Sequence, residues 1–348
     1  MRFLILFVTS QCNCRCQACF YWRRLNAEGD LSAEEFKKIS TAIGPLHTLL
    51  LSGGEPFLRI DLEDICRTFI KQNGISVLAV PTNGTCAERV IKFSESILKA
   101  YPGVTLSIAV SLDGCRETHD RMRGVEGVFR KASETLRELS KMRGRFRNLE
   151  AGVNTVIAKD NIAELESFMD TLYNDFDIDF HEFELARGDR RDSAIKLPSL
   201  RDVERIHRYI VMNRERYLDR ARASLPEKAA VISLLAFVHK LKERVLGGRK
   251  PIYNCTAGRN ISVIDANGDV RLCELLPPVK NIRAVGYNLH AALDSEDARR
   301  QKREIADKRC GCTHVCFIKQ TIASHPGTLC HLFSNYISHK AEKWLPKR

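Results

Sequence analysis

The stretch Thr9-Ser10-Gln11-Cys12-Asn13-Cys14-Arg15-Cys16-Gln17-Ala18-Cys19-Phe20-Tyr21 follows an apolar run, Phe3 to Val8, that predicts a β-strand. Cys12, Cys16 and Cys19 have the spacing C-x3-C-x2-C. A loop with three thiolates at this spacing can bind three irons of a four-iron cluster and leave the fourth iron without a protein ligand. An iron with an open coordination position can bind a substrate or cofactor, so the stretch predicts a reactive metal centre directly after the first strand.

Two other interpretations fit parts of this stretch. Zinc also binds thiolates, but the paired C-x2-C groups typical of structural zinc sites are absent from it. A secretory signal would begin with a charged residue and a short apolar run, as this chain does. However, the run is brief, no small-residue cleavage site follows it, and cysteines come at once.

Composition narrows the class of protein. The 348 residues, 44% of them hydrophobic, suffice for a barrel-sized domain and a smaller one. The 13 cysteines are clustered, which favours metal binding over disulfides, so we expect a cytoplasmic protein. No apolar run is long enough to span a membrane. The net charge of +12 favours an anionic partner. Nucleic acid is disfavoured because the basic patches are not interleaved with aromatic residues.

Apolar runs and helical patterns alternate over the first half of the chain. Strands are predicted at 3–8, 46–51, 75–80, 104–112, 151–157 and 180–185. Helices are predicted between them at 33–43, 61–72, 86–100, 125–141 and 162–173. Such alternation requires parallel strands joined by helical crossovers. Six units are too few for a closed eight-stranded barrel but suit a partial one, whose functional residues should follow the carboxyl ends of the strands.

Short motifs do follow these strands. Ser52-Gly53-Gly54-Glu55-Pro56 comes after the second, and Thr82-Asn83-Gly84-Thr85 after the third. The fourth ends in Ser111-Leu112-Asp113-Gly114, and His119-Asp120-Arg121-Met122-Arg123-Gly124 comes soon after. Two adjacent glycines let the backbone approach a neighbour closely. A guanidinium such as that of Arg123 is a good bidentate partner for a carboxylate.

Together, the cysteine spacing followed by an aromatic residue, the GGEP turn, the TNG turn and the S-x-D-G…H-D-x-x-R-G pattern resemble the radical SAM superfamily. The resemblance implies an α/β fold with a partial (βα)6 TIM-type barrel. It also implies a [4Fe–4S] cluster on Cys12, Cys16 and Cys19 whose open iron binds S-adenosylmethionine (SAM). In that family, reduction of the cluster cleaves SAM to a 5′-deoxyadenosyl radical, which abstracts hydrogen from a substrate. A flavodoxin or ferredoxin is the expected reductant.

The resemblance carries roles over to individual positions. Expected SAM contacts are Phe20, Gly53, Gly54, Glu55, Asn83, Ser111, Arg123, Asn154 and Leu185. His119 and Asp120 are interpreted as loop architecture rather than catalytic groups. Arg187 is either a substrate anion contact or part of a salt bridge. Cys14 stands where the family usually has a bulky apolar residue, and we interpret it as a packing residue, with competition as a ligand as the alternative.

A second group of cysteines lies near the other end of the chain. Cys255 and Cys273 have the spacing C-x12-G-x4-C around a predicted hairpin at 261–272. This half resembles the SPASM or Twitch extension of radical SAM enzymes, which binds auxiliary [4Fe–4S] clusters, although the full SPASM run is absent. The expectation is one auxiliary cluster, held by Cys255, Cys273, Cys312 and Cys316, with Cys310 as the alternate ligand. Zinc and a His314 ligand are alternatives.

Glu274 directly follows Cys273 and corresponds to an acidic general base of the sulfatase-maturing relatives; a surface carboxylate is the alternative. Cys86 and Cys115 are possible hydrogen-atom donors in that resemblance, although a structural role is favoured for each. Cys330 is interpreted as a free thiol or part of a substituted cluster site.

The predicted organisation is a core barrel at 1–195, a helical connector at 196–250, a small α+β cluster-binding domain at 251–335 and a basic tail at 336–348. The predicted activity is radical modification of a peptide or protein by oxidation, crosslinking or epimerisation. Oxidation or rearrangement of a small anionic metabolite and modification of RNA are the alternatives. Because the chain starts at its first barrel strand, we expect any peptide-recognition module to be a separate protein.

Overall fold

The computed structural model describes residues 3–221, 223–307 and 310–325. Its first half is a run of parallel strands joined by helices, as the alternation of apolar and helical segments predicts. The six strands of this half are β1 Phe3–Thr9, β2 Thr48–Gly53, β3 Val77–Thr82, β4 Thr105–Ser111, β5 Leu149–Ile157 and β6 Phe180–Leu185. Each pairs in parallel with its sequence neighbour. The α/β fold of partial-barrel type is thereby confirmed.

The helices that cover this sheet are amphipathic. They are α1 Ala33–Ile43, α2 Leu62–Asn73, α3 Ala87–Ala100, α4 Arg116–Arg123, α5 Val128–Arg143 and α6 Leu165–Asp175. Helix α1 begins with the capping box visible in the sequence: the Ser32 hydroxyl accepts from the Glu35 amide, and the Glu35 carboxylate accepts from the Ser32 amide. Buried Phe36 and Ile39 place its apolar face on the core.

The stretch after β4 differs from expectation, because His119 to Arg123 belong to α4 rather than to a loop. This helix is short and strongly polar, so hydrophobic periodicity does not reveal it. The helical connector predicted at 196–250 contains two helices, α7 Leu200–Arg220 and α8 Leu225–Leu246. The second begins at a capping box made by Ser224 and Glu227.

The C-terminal hairpin is continuous with the barrel sheet. Strands β7 Ile261–Ile264 and β8 Asp269–Arg271 form the predicted hairpin, and a two-residue strand, β9 Lys280–Asn281, pairs with β8. Strand β7 pairs in parallel with β1, so the order across the nine-stranded sheet is β6-β5-β4-β3-β2-β1-β7-β8-β9. All four residues of β7 are buried. The boundary at 251 stays a prediction, but the sheet itself crosses it.

Three further helices complete the described chain: α9 Leu289–Leu293, α10 Glu296–Asp307 and α11 Val315–Ala323. Helix α11 packs Val315, Ile318 and Ile322 against Phe237 and Leu241 of α8. No helix among the described residues is long and apolar enough to cross a membrane. Cys330 and the predicted basic tail lie outside the described residues.

Candidate active site

A cavity of about 680 Å³ occupies the interior of the partial barrel. It extends from the motifs at the carboxyl ends of the strands to the first residues of several strands, including Phe3, Thr48 and Val77. Every expected SAM contact and all three thiols of the Cys12, Cys16 and Cys19 loop line it. The fold therefore brings these predicted site residues into one cavity, although they are up to 173 positions apart in sequence, from Cys12 to Leu185.

Main-chain hydrogen bonds hold the cysteine loop in place from two sides. On one side the Gly54 amide donates to the Thr9 carbonyl at 2.8 Å, and the Glu55 amide donates to the Gln11 carbonyl at 2.7 Å. On the other side, where α4 ends, the Arg15 amide donates to the Arg123 carbonyl at 2.9 Å. The motifs after β2 and β4 thus position the cysteine loop in addition to lining the cavity.

The glycines after β2 are required by this contact. A Cβ at Gly54 would lie 2.1 Å from the Gln11 carbonyl oxygen, and one at Gly53 would lie 2.3 Å from the Thr9 carbonyl oxygen. Gly53 also has a φ of +115°, which L side chains rarely adopt. The sequence predicts close approach at these glycines, and the structure identifies the backbone before the cysteines as their neighbour.

Glu55 is buried at the centre of the SAM motifs. Its carboxylate accepts hydrogen bonds from the Thr82 hydroxyl and the Asn83 amide, both at 2.7 Å, and from the Phe57 amide at 3.2 Å. Burial raises the pKa of Glu55 to about 7, against these hydrogen bonds. A cationic amino group beside this carboxylate would favour its ionised form, which agrees with the expected SAM contact.

Arg123 connects the cysteine loop to the end of β4. Its guanidinium lies 2.7 Å from the Asp113 carboxylate and donates to the Cys16 sulfur at 3.7 Å. Asp113 also accepts from the Val156 amide at 2.9 Å, and its own amide donates to the His119 Nδ1 at 3.0 Å. His119 is fully buried, and burial lowers its pKa to about 4. This agrees with the architectural role expected of His119.

Asp120 is also architectural in the structure. Its carboxylate oxygens accept from the backbone amides of Gly127 and Phe129, each at 2.7 Å, at the start of α5. These bonds satisfy amides that have no partner within the helix. Both oxygens therefore serve the junction between α4 and α5.

The donor chemistry of the cavity wall fits a cluster with SAM. Four thiols of one loop line the cavity, because Cys14 lines it together with Cys12, Cys16 and Cys19, and the guanidinium of Arg123 donates to the sulfur of Cys16. Opposite Ser111 on the neighbouring strand, Asn154 carries a buried Oδ1 with no hydrogen-bond partner among the described residues. An orphaned acceptor in a cavity wall is costly unless a ligand or water satisfies it.

Within the part of the chain that the structure describes, no three His, Cys, Asp or Glu side chains converge closely enough to hold a single metal ion. The choice between zinc and a cluster at the second cysteine group stays a prediction.

The cavity wall also contains a buried network of charges. Arg187 lies 3.3 Å from the Glu184 carboxylate and 3.0 Å from the Glu274 carboxylate. His314 lies 2.8 Å from Glu274 and 3.4 Å from Glu184. The Arg187 guanidinium also sits over the Phe20 ring, 5.0 Å from its centroid. The sequence left open whether Arg187 contacts a substrate anion or forms a salt bridge, and in the structure it forms salt bridges to Glu184 and Glu274.

Glu274 is thus a buried, ion-paired carboxylate rather than a surface group. Burial would raise its pKa, but His314 and Arg187 outweigh that effect and lower it to about 2. Its role as a general base stays a prediction, and in this arrangement its basicity is weak. Sequence reasoning missed Glu184 altogether. The available signal was a carboxylate at alternate positions of β6, Glu182 and Glu184, in a strand whose other residues are apolar except for His181.

Cysteines of the second group line two different cavities. Cys255, Cys310 and Cys312 line a small cavity beside α8 and α11. Cys316 lines the large cavity instead, together with His314 and Lys319. The ligand set of an auxiliary cluster stays a prediction, but these cysteines do not all face the same space.

Comparison with known proteins agrees with this site. The sequence model of the radical SAM superfamily matches residues 6–172. The chain is 30% identical over 169 residues to Fe-coproporphyrin III synthase of Methanosarcina barkeri, covering 47% of this chain and 39% of that protein. It is 27% identical over 277 residues to the subtilosin biosynthesis protein AlbA of Bacillus subtilis, covering 78% of this chain and 54% of that protein. The chain therefore spans about half or less of the length of these relatives.

Among solved structures, that of anSMEcpe with bound AdoMet superimposes with a TM-score of 0.63 at 17% identity. The superposition covers 98% of this chain and 97% of that chain. At this identity the likeness concerns the fold, including the region that follows the barrel.

Proposed function

Residues 6–172 of this chain are a domain of the radical SAM superfamily, and on that premise we propose that the protein modifies a peptide or protein substrate by radical chemistry. The cofactors of this family, a [4Fe–4S] cluster and SAM, supply the electron and the 5′-deoxyadenosyl radical that removes hydrogen from the substrate. The residues of this chain bind and orient those groups and shield the radical from water.

The roles of the residues follow from their contacts. Cys12, Cys16 and Cys19 would hold the cluster, and Arg123 would stabilise the thiolate of Cys16 through its guanidinium. Glu55, kept in place by three hydrogen bonds, would receive the amino group of SAM. The free Oδ1 of Asn154 would accept from a ribose hydroxyl.

The charge of the cavity wall is the observation that favours a peptide. Although the chain has a net charge of +12, seven carboxylates and four Lys or Arg side chains line the cavity. Each of the four cations is engaged with the protein: Arg123 with Asp113, Arg187 with two glutamates, Lys319 with Glu182, and Arg214 with the Asp179 carbonyl.

Among the described residues, each Lys and Arg side chain of this acidic wall already has a partner in the protein. A polyanion is therefore disfavoured, because its phosphates or carboxylates would lose their hydration there without gaining a cationic partner. A neutral or cationic peptide segment meets no such penalty. The sequence relative AlbA, named for bacteriocin biosynthesis, points to the same class of substrate.

A tetrapyrrole precursor is the second candidate, because the chain is also 26% identical over 287 residues to the AdoMet-dependent heme synthase of Methanosarcina barkeri. The test incubates the anaerobically reconstituted enzyme, SAM and a reductant with either a panel of synthetic peptides or Fe-coproporphyrin III. The panel pairs Lys- and Arg-containing peptides with Asp- and Glu-containing versions of the same length.

We expect 5′-deoxyadenosine above the substrate-free background, and a product mass change or inverted stereocentre, with neutral and basic peptides only. Turnover of Fe-coproporphyrin III with none of any peptide would replace the proposal with the tetrapyrrole alternative. Preference for the acidic peptides would contradict the charge argument.

A further inference from the structure

Helix α11 stands between the two cavities that contain the C-terminal cysteines. Successive residues of an α-helix are rotated by about 100°, so residues three and four apart share a face. Cys316, Lys319 and Gln320 have this spacing, and all three line the large barrel cavity. Phe317, Ile318 and Thr321 have it too, and all three line the small cavity. The two cavities therefore lie against different faces of one helix.

The face that contains Cys316 is anchored to the interior of the barrel. The Val315 amide, at the start of α11, donates to the Glu184 carboxylate at 3.0 Å. One turn further on, the Lys319 ammonium lies 2.8 Å from the Glu182 carboxylate. Both glutamates belong to β6 and face the cavity. Cys316 lies between these two attachments, so rotating it toward the small cavity would break both.

The opposite face closes the small cavity, where Cys255, Cys310 and Cys312 already meet. The Thr321 hydroxyl accepts from the Thr256 amide at 3.2 Å, which ties this face to the residue after Cys255. Cys273 is buried two residues after the end of β8, and its spacing from Cys255 keeps it as an expected ligand.

From this arrangement we propose that Cys255, Cys273, Cys310 and Cys312 are the ligands of the auxiliary cluster, and that Cys316 is an unligated thiol in the wall of the substrate cavity. The proposal rests on the function proposed above. It changes the ligand set expected from the sequence, in which Cys316 was a ligand and Cys310 the alternate. In this arrangement Cys316 is a small, uncharged contact for substrate, directly beside Glu274 and Lys319 in the cavity wall.

Iron content provides the test. The full-length Cys12/Cys16/Cys19→Ala variant, reconstituted anaerobically, serves as the parent in which only the auxiliary cluster remains. Into it we would introduce Cys310→Ala, Cys316→Ala or, as a matched control, Cys66→Ala, a buried thiol of α2 that lines neither cavity. Iron and sulfide per chain and the electron paramagnetic resonance of the reduced cluster are measured for each.

We expect Cys316→Ala and Cys66→Ala to retain the iron of the parent, about four per chain, and Cys310→Ala to lose most of it. Loss of iron in Cys316→Ala, or retention in Cys310→Ala, would overturn the assignment. Loss of iron in a Cys330→Ala variant of the same parent would also overturn it. A parent without iron would also overturn it, while deoxyadenosine formation by the wild type would still test the proposed function separately.

A second measurement does not depend on how the variants fold. The cluster-loaded wild-type protein is treated anaerobically with iodoacetamide, and the modified cysteines are identified by peptide mass spectrometry. Cys316 should be alkylated, whereas the four assigned ligands should be protected until the cluster is removed by chelation. Protection of Cys316 together with the ligands, and its exposure on chelation, would contradict the proposal.

Discussion

The two cysteine groups of this protein are built in different ways. In the first, the three predicted ligands lie within eight residues of one loop, and the neighbouring motifs hold that loop through main-chain hydrogen bonds. In the second, the cysteines come from a strand end, a loop and a helix separated by up to 61 residues, from Cys255 to Cys316. A local motif specifies its geometry through spacing, whereas a dispersed group depends on the packing of whole elements.

This difference explains why the ligands of the first cysteine group can be predicted from the sequence, whereas those of the second group cannot. Along a loop, spacing limits which thiols can approach one another. On α11 a change of one position moves a side chain by about 100°, from one cavity to the other. Spacing alone therefore does not show which of the two cavities Cys316 faces.

The largest expected effect tests the independence of the two groups. In the Cys12/Cys16/Cys19→Ala variant, SAM-dependent formation of 5′-deoxyadenosine should fall to background, because no other described thiols line the SAM end of the cavity in a comparable group. About half of the iron should remain, in the second group. Iron analysis and chromatography of the nucleoside products check both. Complete loss of iron would mean that the second group does not bind a cluster by itself.

The second largest effect is expected for Arg187→Met. Arg187 contacts a neighbour of each cysteine group, since it lies over Phe20, which follows Cys19, and pairs with Glu274, which follows Cys273. The substitution leaves the carboxylates of Glu184 and Glu274 without their guanidinium partner in a buried setting, so we expect a loss of about 4 kcal/mol in unfolding free energy. Adding Glu274→Gln should recover part of that loss.

Arg130→Met is the matched control for Arg187→Met, because Arg130 pairs with Glu134 on the exposed face of α5. We expect a change there of less than about 1 kcal/mol. Chemical denaturation followed by circular dichroism measures both substitutions. Equal effects at the two positions would show that the buried network adds nothing beyond a surface pair.

A third prediction concerns the contact between the turn after β2 and the cysteine loop. Gly54→Ala places a Cβ 2.1 Å from the Gln11 carbonyl oxygen, so either the turn or the cysteine loop must move. We expect destabilisation by about 2–3 kcal/mol and weaker SAM binding. Gly103→Ala is the control, since its Cβ would meet nothing within 4 Å. Isothermal titration with SAM distinguishes them, and unchanged affinity in Gly54→Ala would refute the contact.

The smallest expected effect concerns an ion pair on the protein surface, in which the Glu35 carboxylate of α1 lies 2.6 Å from the guanidinium of Arg283, after β9. The hydrogen bond from Arg283 lowers the pKa of Glu35 from 4.5 to about 2. A lowered carboxyl pKa stabilises the fold above the unfolded value, and this contribution disappears as the pH falls from 4.5 toward 2.

Glu35→Gln should therefore cost less than about 1 kcal/mol near neutral pH, because Arg283 is partly exposed to solvent. The difference from the wild type should shrink in acid. Urea denaturation of both proteins at several pH values provides the measurement. A difference that grows as the pH falls would have the wrong sign for this pair.

Much of the barrel followed from its periodicity. The strand at 180–185 and the helix at 33–43 have the predicted bounds, and the other barrel strands lie within a few residues of theirs. Helix α4 was not predicted, because its residues are almost all polar and Met122 is the only apolar one among those it buries. The pairing of β7 with β1 was not predicted, because no local sequence pattern indicates a contact between two strands so far apart in the chain.

By itself, the sequence determined the three thiols in one loop, the motifs that follow successive strands, and the match of residues 6–172 to the radical SAM superfamily. Only the tertiary structure decided which partners those motifs contact, the acid excess of the cavity despite a basic chain, and the face of α11 that presents Cys316. The physical reason is range: spacing and periodicity act over a few residues, whereas charge balance in a cavity and the orientation of a helix arise from elements that meet only on folding.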